Sequence, residues 1–204
     1  MAVRILRAAD RAAAAWKNGG GVTREVAAGP EGAPLDGFDW RISLAEVAAG
    51  GPFSVFPGID RVITVVDGGG MELTVDGAVH PVPERYRPFA FSGDAATDCL
   101  LLEGPITDFN VMTRRGRIRA GVRVVRAAGD LQPDGREPEV LPPAPGRTVL
   151  LLVLEGRARF GSTVLGRHDA LLSAGTEGAG DAYLRWEGEG GVSALVTLDD
   201  ITGL

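Results

Sequence analysis

The sequence holds one cysteine, one lysine and two histidines in 204 residues, and no long apolar run. The lone Cys99 excludes an intrachain disulfide, and its setting in Cys99-Leu100-Leu101-Leu102 marks a buried core residue rather than a nucleophile. His80 and His168 stand singly, in His80-Pro81 and Arg167-His168-Asp169, without the spacing of a chelate, so no metal centre is expected. The longest aliphatic stretch, Val149 to Leu154, falls far short of the ~20 residues that cross a bilayer. Arg4, Arg7 and Arg11 are interrupted by Asp10 and followed only by the short Ala12 to Ala15 run, which makes no signal peptide; a cytoplasmic protein without membrane contact is the expectation. A nucleophile elbow, a phosphate loop and a cysteine-histidine cluster are all missing.

The net charge of −6 weighs against a nucleic-acid partner, although six arginines crowd between Arg114 and Arg126. Arg115, Arg117, Arg119 and Arg123 share one parity while Ile118, Ala120, Val122 and Val124 share the other. That alternation predicts a half-buried strand with a solvated arginine face, an anion-binding patch being the alternative.

Glycine and proline are what the chain has in quantity, 30 and 13 respectively, and they punctuate it every ten or so residues. Helical periodicity is hard to find outside Ala8 to Trp16, so the fold expected is all-β. Met71, Leu73 and Val75 alternate with Glu72, Thr74 and Asp76, giving a strand with one wet face. Val62 to Val66 is apolar on both parities except at Thr64, as a strand covered on both sides requires. The Asp67-Gly68-Gly69-Gly70 turn is expected to join these two strands into a hairpin. A similar unit recurs where Val149 to Leu154 runs through Glu155-Gly156 into Arg157 to Phe160. Two diverged copies of an antiparallel barrel or sandwich follow, over 1–120 and 121–204, with the Pro- and Gly-rich stretch 129–146 as linker.

Four stretches are too specific for strand filler. They are Trp16-Lys17-Asn18-Gly19-Gly20-Gly21-Val22-Thr23-Arg24-Glu25, Phe38-Asp39-Trp40-Arg41-Ile42-Ser43, Gly51-Pro52-Phe53-Ser54-Val55-Phe56-Pro57-Gly58-Ile59-Asp60-Arg61 and Asp108-Phe109-Asn110-Val111-Met112-Thr113-Arg114-Arg115. Gly19 and Gly20 after Asn18 either turn backbone N–H groups toward an anion or make a plain inter-strand turn. Lys17 breaks the preference for arginine, and a compact ammonium differs from a guanidinium fork. Arg61 opens the doubly apolar strand, where it could grip a ligand carboxylate bidentately or pair with Asp60. Asp108, Asn110 and Met112 share one parity and Phe109 and Val111 the other; if the aromatic face packs between layers, the polar one lines the barrel interior. Trp16 and Trp40 are read as core or pocket wall.

Together these four stretches resemble the HutD/Ves family, bicupins associated with histidine utilisation. The resemblance runs through the first 120 residues; beyond about Gly121 only the strand pattern carries it. It implies two cupin-like double-stranded β-helix barrels. It also implies a regulator of histidine breakdown rather than an enzyme of it, without cofactor or metal. N-formyl-L-glutamate leads as ligand, because a small dicarboxylate with a formamide fits Lys17, Asn18, Gly19, Gly20, Arg61, Asp108, Asn110 and Met112. The alternatives are an atypical cupin enzyme, metal-dependent or an isomerase with His80 or His168 as base, and an interaction protein whose second barrel is a homodimer surface.

Overall fold

The computed structural model describes residues 3–128, 146–174 and 184–203, so the expected linker lies outside the described residues except for Gly146. Its regular elements are strands apart from one three-residue 3-10 turn, Ala8–Asp10. Among the described residues no helix is long and apolar enough to cross a membrane.

The chain divides into two compact units, one formed by Arg11–Ile118 and the other by Met1–Asp10 with Arg119–Leu204. In the first, six antiparallel strands lie in the order Ala13–Ala15, Gly21–Gly29, Trp40–Val47, Ile106–Arg114, Ile59–Asp67, Phe89–Ser92. A second sheet holds Gly51–Pro52, Thr97–Leu101, Met71–Val75 and Ala78–Val82. Period-2 alternation builds the core between them: Ala45, Val47, Ile63 and Val65 from the larger sheet meet Met71, Leu73, Val82 and Cys99 from the smaller one. The doubly apolar strand is covered on both faces, with Ile63, Thr64, Val65 and Val66 all buried.

The hairpin expected at Asp67-Gly68-Gly69-Gly70 is corrected by the pairing. Ile59–Asp67 bonds to Ile106–Arg114 and Phe89–Ser92, whereas Met71–Val75 bonds to Thr97–Leu101 and Ala78–Val82. The glycines therefore carry the chain from one sheet to the other. A Cβ on Gly68, whose φ is +91°, would stand 2.5 Å from the carbonyl oxygen of Pro105, a closeness only glycine permits.

The second unit repeats this topology. Arg147–Glu155 is flanked by Ala170–Ala174 and Gly190–Asp200, as Ile59–Asp67 is by Phe89–Ser92 and Ile106–Arg114. Ala158–Phe160 lies in a separate three-stranded sheet between Thr163–Leu165 and Leu184–Trp186, as Met71–Val75 lies between Ala78–Val82 and Thr97–Leu101. In the strand Ile118–Ala128, Arg119 and Arg123 are exposed and Ile118, Ala120, Val122 and Val124 half-buried, as the alternation requires. The arginines just before it act differently: Arg115 joins Asp60 and Asp94, and Arg117 joins Asp39.

At the start of the chain the boundary differs from the one drawn on sequence, because Arg4–Leu6 adds to the edge of Ala170–Ala174. The attachment is fixed by Asp169, whose carboxylate accepts from Arg7 Nη1 at 2.7 Å, the Ala8 N–H at 2.8 Å and the Gly166 N–H at 3.0 Å. Burial pushes its pKa up, but the two backbone N–H groups and the Arg7 guanidinium outweigh that and hold it below the usual carboxylate range. Asp169→Ala is expected to lower unfolding free energy by about 2 kcal/mol in urea titrations near neutral pH, since it orphans two N–H donors and leaves Arg7 with only the Val164 carbonyl oxygen. The contribution is complete above the ordinary carboxylate range and disappears as pH falls through the depressed folded value, so wild type and variant should converge in acid.

Candidate functional site

Register places the polar motif. Ile106–Arg114 is paired on one side with Trp40–Val47 and on the other with Ile59–Asp67. Met112 stands between Arg41 and Arg61, Asn110 between Ser43 and Ile63, and Asp108 between Ala45 and Val65. Phe91 extends the first row beyond Arg61, and Thr23 the third beyond Ala45. Successive rows are about 7 Å apart along the strands. A cavity of about 570 Å³ opens on this face, bounded also by Trp16, Leu35, Phe53 and Phe56.

Six of the eight residues picked from sequence line this one cavity: Lys17, Asn18, Arg61, Asp108, Asn110 and Met112. Phe109 and Val111 are buried on the opposite parity. Gly19 and Gly20 are not in the lining, and their N–H groups are already used. That of Gly19 donates to Trp16 O at 3.0 Å, and that of Gly20 to Asn18 Oδ1 at 3.0 Å. The glycine segment is thus a self-satisfied turn and not an anion cradle, which also commits the Asn18 carbonyl oxygen. Close packing accounts for the next glycine: a Cβ on Gly21 would meet Glu46 O at 2.6 Å and the Trp16 ring at 3.1 Å.

Arg61 is 6% exposed and its Nε has no hydrogen-bond partner. Asp60, the neighbour that could have paired with it, faces away and is bound by Arg115 at 2.8 Å. The guanidinium carbon lies 4.8 Å from the ring centre of Phe91, 5.2 Å from Phe53 and 5.7 Å from Phe56, so aromatic faces rather than acceptors surround the cation. Burial pulls the Arg61 pKa down to about 10, against the opposing charge of Asp108. Asp108 is 2% exposed, and burial pushes its carboxyl up to about 7 while the Arg61 cation pulls the other way. Its Oδ1 and the Oδ1 of Asn110 are both buried without a partner. Three buried polar side chains on one cavity wall thus lack a hydrogen-bond partner within the protein.

Sequence reasoning passed over Arg41 and Ser43, though both stand in the quoted Trp40-Arg41-Ile42-Ser43 motif. The alternation used for Asp108, Asn110 and Met112 would have found them. Arg41 donates from Nε to Glu25 at 2.8 Å. Trp16 forms wall as expected, its Nε1 donating to Thr23 Oγ1 at 2.8 Å. In the second unit the equivalent rows, counted from the register shift of each long strand, are Val149 opposite Thr197, Leu151 opposite Leu195 and Val153 opposite Ser193. Where the first unit has Arg61 and Asn110, the second has Val149 and Leu195 within its core.

The donor set does not suit a metal ion of the kind cupin folds hold. Among the described residues Asp108 is the single carboxylate in the cavity lining, which it shares with Lys17, Arg41 and Arg61 and with no histidine. His80 packs on Phe89 at 5.1 Å, and the His168 N–H donates to Val153 O in the other unit. Among the described residues no three of His, Cys, Asp and Glu gather at one point.

The same two-sheet unit occurs in bacterial pirin YhhW from Escherichia coli, solved with nickel(II). That chain overlays 98% of this one with a TM-score of 0.67 at 12% identity, a likeness of fold alone. A cupin 2 conserved barrel domain protein from Leptotrichia buccalis shares it with a TM-score of 0.53 at 11% identity. Topology and neighbours together define an all-β, cupin-like protein with two barrels. Within that class the chain belongs to the HutD family, whose profile matches residues 8–193 and so extends beyond the first 120 residues into the second unit. HutD from Pseudomonas fluorescens SBW25 is 35% identical, with a TM-score of 0.75 over 98% of this chain and 99% of its own. A conserved protein of unknown function from Pseudomonas aeruginosa PAO1 is 35% identical, with a TM-score of 0.81 over 98% and 100%. Curated relatives include the uncharacterized 21.2 kDa protein in the hutC 3′ region of Pseudomonas putida, 45% identical over 58% of this chain and 62% of that protein. Protein Ves of Cronobacter sakazakii is 44% identical over 53% and 59%. The matches thus span about six-tenths of these relatives' own length.

Burying a carboxyl whose pKa is raised makes the fold less stable as pH rises. Between the unfolded value of 3.8 and the folded value of about 7 the unfolded chain gives up the proton first, so stability falls through that interval. Asp108→Asn, neutral at every pH, should therefore be more stable than wild type by roughly 2 kcal/mol at about pH 8. By about pH 4 the gap should close. Thermal melts of both proteins across that range check it; a variant less stable than wild type at pH 8 would mean that the ionised carboxylate is favourably held.

Proposed function

We propose that the protein is a small-carboxylate-binding regulator of histidine breakdown, with N-formyl-L-glutamate as its leading ligand. The observation that carries the reading is the buried, unpartnered guanidinium of Arg61 in the same cavity as Lys17, Arg41 and Asn110. A guanidinium without an acceptor binds a carboxylate in charge-assisted, bidentate form, and little else recovers the cost of burying it. Histidine breakdown enters through the relatives, one named HutD and another placed by its name in the hutC 3′ region. Family membership supplies the biological setting, and the cavity supplies the chemistry.

A formamide suits this surrounding better than a free amine. The ammonium of glutamate would enter a cavity lined by three cationic side chains, whereas a formamide is neutral and offers both an acceptor and a donor. With the glycine N–H groups and the Asn18 oxygen committed to the turn, Asn110 is the amide that reads the formamide. Calorimetric titration tests the assignment. N-formyl-L-glutamate should bind more tightly than L-glutamate by about tenfold or more. Arg61→Ala should weaken it by roughly 2 to 4 kcal/mol, and Asn110→Ala by about 1 to 2 kcal/mol. Equal affinity for the two ligands, or an Arg61→Ala protein that binds normally, contradicts the reading.

The burial of Asp108 in the cavity wall favours a second reading, an enzyme acting on a small acid: it pushes the carboxyl up to about 7, a range that suits a general acid or base. Incubating the protein with N-formyl-L-glutamate and following it by NMR separates the two. An unchanged spectrum is expected for a binding protein, and turnover abolished by Asp108→Asn for the enzyme.

A further inference from the structure

Among the described residues Asp108 is the single carboxylate lining the cavity, and the contacts assigned to the ligand above fall to Arg61 and Asn110 instead. Its cross-strand neighbours are Ala45 and Val65, which supply no donor, and its Oδ1 is buried without a partner. The charged and titratable groups that share its surroundings come from several elements. Strand Ile59–Asp67 contributes Arg61, whose backbone lies four residues from Val65, roughly 13 Å along the strand. Strand Trp40–Val47 contributes Arg41, held at Nε by Glu25 of strand Gly21–Gly29. The turn before Gly21 contributes Lys17. From the opposite sheet comes Cys99, a thiol kept neutral by burial and by Asp108 itself. No hydrogen bond fixes the carboxylate, so its ionised form rests on attraction at a distance to Arg61.

A ligand carboxylate on Arg61 removes that support. It neutralises the cation that supports Asp108 and adds negative charge to the same cavity, and both changes favour the protonated form of the buried carboxyl. We propose that Asp108 is the proton-holding specificity residue of the cavity: it takes a proton from solvent when a carboxylate occupies Arg61, and as a neutral acid offers its O–H to the ligand. The inference rests on the carboxylate reading above and goes beyond it by assigning the state in which Asp108 meets the ligand. A protonated Asp108 donates its O–H to an amide or carbonyl oxygen and gives no counter-charge to an ammonium, which sets the preference among acids.

The test is isothermal titration of N-formyl-L-glutamate and of glutarate into wild type and Asp108→Asn at about pH 6, 7 and 8, in buffers of low and high ionisation enthalpy. Wild-type affinity for a bound carboxylate should fall, approaching about tenfold per pH unit above neutrality, with close to one proton taken up per ligand. Asp108→Asn should show no slope and bind tighter than wild type by about tenfold at pH 8. A flat wild-type profile, or an Asn variant weaker than wild type at pH 8, overturns the proposal. If glutarate binds with the slope and N-formyl-L-glutamate does not bind, the proton-holding role stands and the ligand assignment fails. If neither binds, the carboxylate reading fails, and ¹³C NMR of the ligand-free protein decides about Asp108. The carboxyl resonance absent from Asp108→Asn must titrate near neutrality; one fully ionised by about pH 5 refutes the role.

Discussion

The cavity depends on a guanidinium buried without an acceptor. Desolvating a cation costs several kcal/mol, and quadrupole attraction from Phe53, Phe56 and Phe91 returns only part of it. The arrangement persists because the surrounding strands allow no alternative. Asp60 is turned away by strand parity and drawn off by Arg115, and Asp108 is two rows further along the barrel wall. A side chain held in this way keeps its hydrogen-bonding capacity for whatever enters. The unsatisfied Asn110 and the poorly supported Asp108 share this condition, because each stands on the same cavity wall without a protein partner.

Duplication explains how such a wall is tolerated. Both units repeat one topology, with a long doubly covered strand, a glycine step between sheets and two antiparallel flanking strands. The second unit fills the rows equivalent to Arg61 and Asn110 with Val149 and Leu195, packed with Leu151, Val153 and Leu171. Each large aliphatic side chain buried there contributes roughly 1.5 to 3 kcal/mol that its counterpart in the first unit does not. One copy thus puts its interior into cohesion while the other leaves its interior polar and open.

Much of this was legible in the chain. The parity of Asp108, Asn110 and Met112, the inward set of Arg61 and the repeated strand-glycine-strand unit all rest on period-2 alternation, which side-chain geometry enforces locally. What escaped was settled at long range. Parity tells which face a residue takes but not which sheet its strand joins, so the Asp67 to Gly70 step looked like a hairpin. The pairing of Arg4–Leu6 with Ala170–Ala174 links residues far apart in sequence, and no local pattern announces it. The rings around Arg61 come from two loop positions and a separate strand, visible only once folded. Gly19 and Gly20 misled for a different reason: a free N–H and one satisfied by the preceding asparagine have the same sequence.

A crystal structure with N-formyl-L-glutamate bound would test the central claim most directly, because it locates the ligand's charge against the unpartnered cation. A carboxylate oxygen should lie within about 3 Å of a guanidinium nitrogen of Arg61, with the three phenylalanine rings unmoved. A ligand seated elsewhere, with Arg61 swung across to pair with Asp108, would contradict the account.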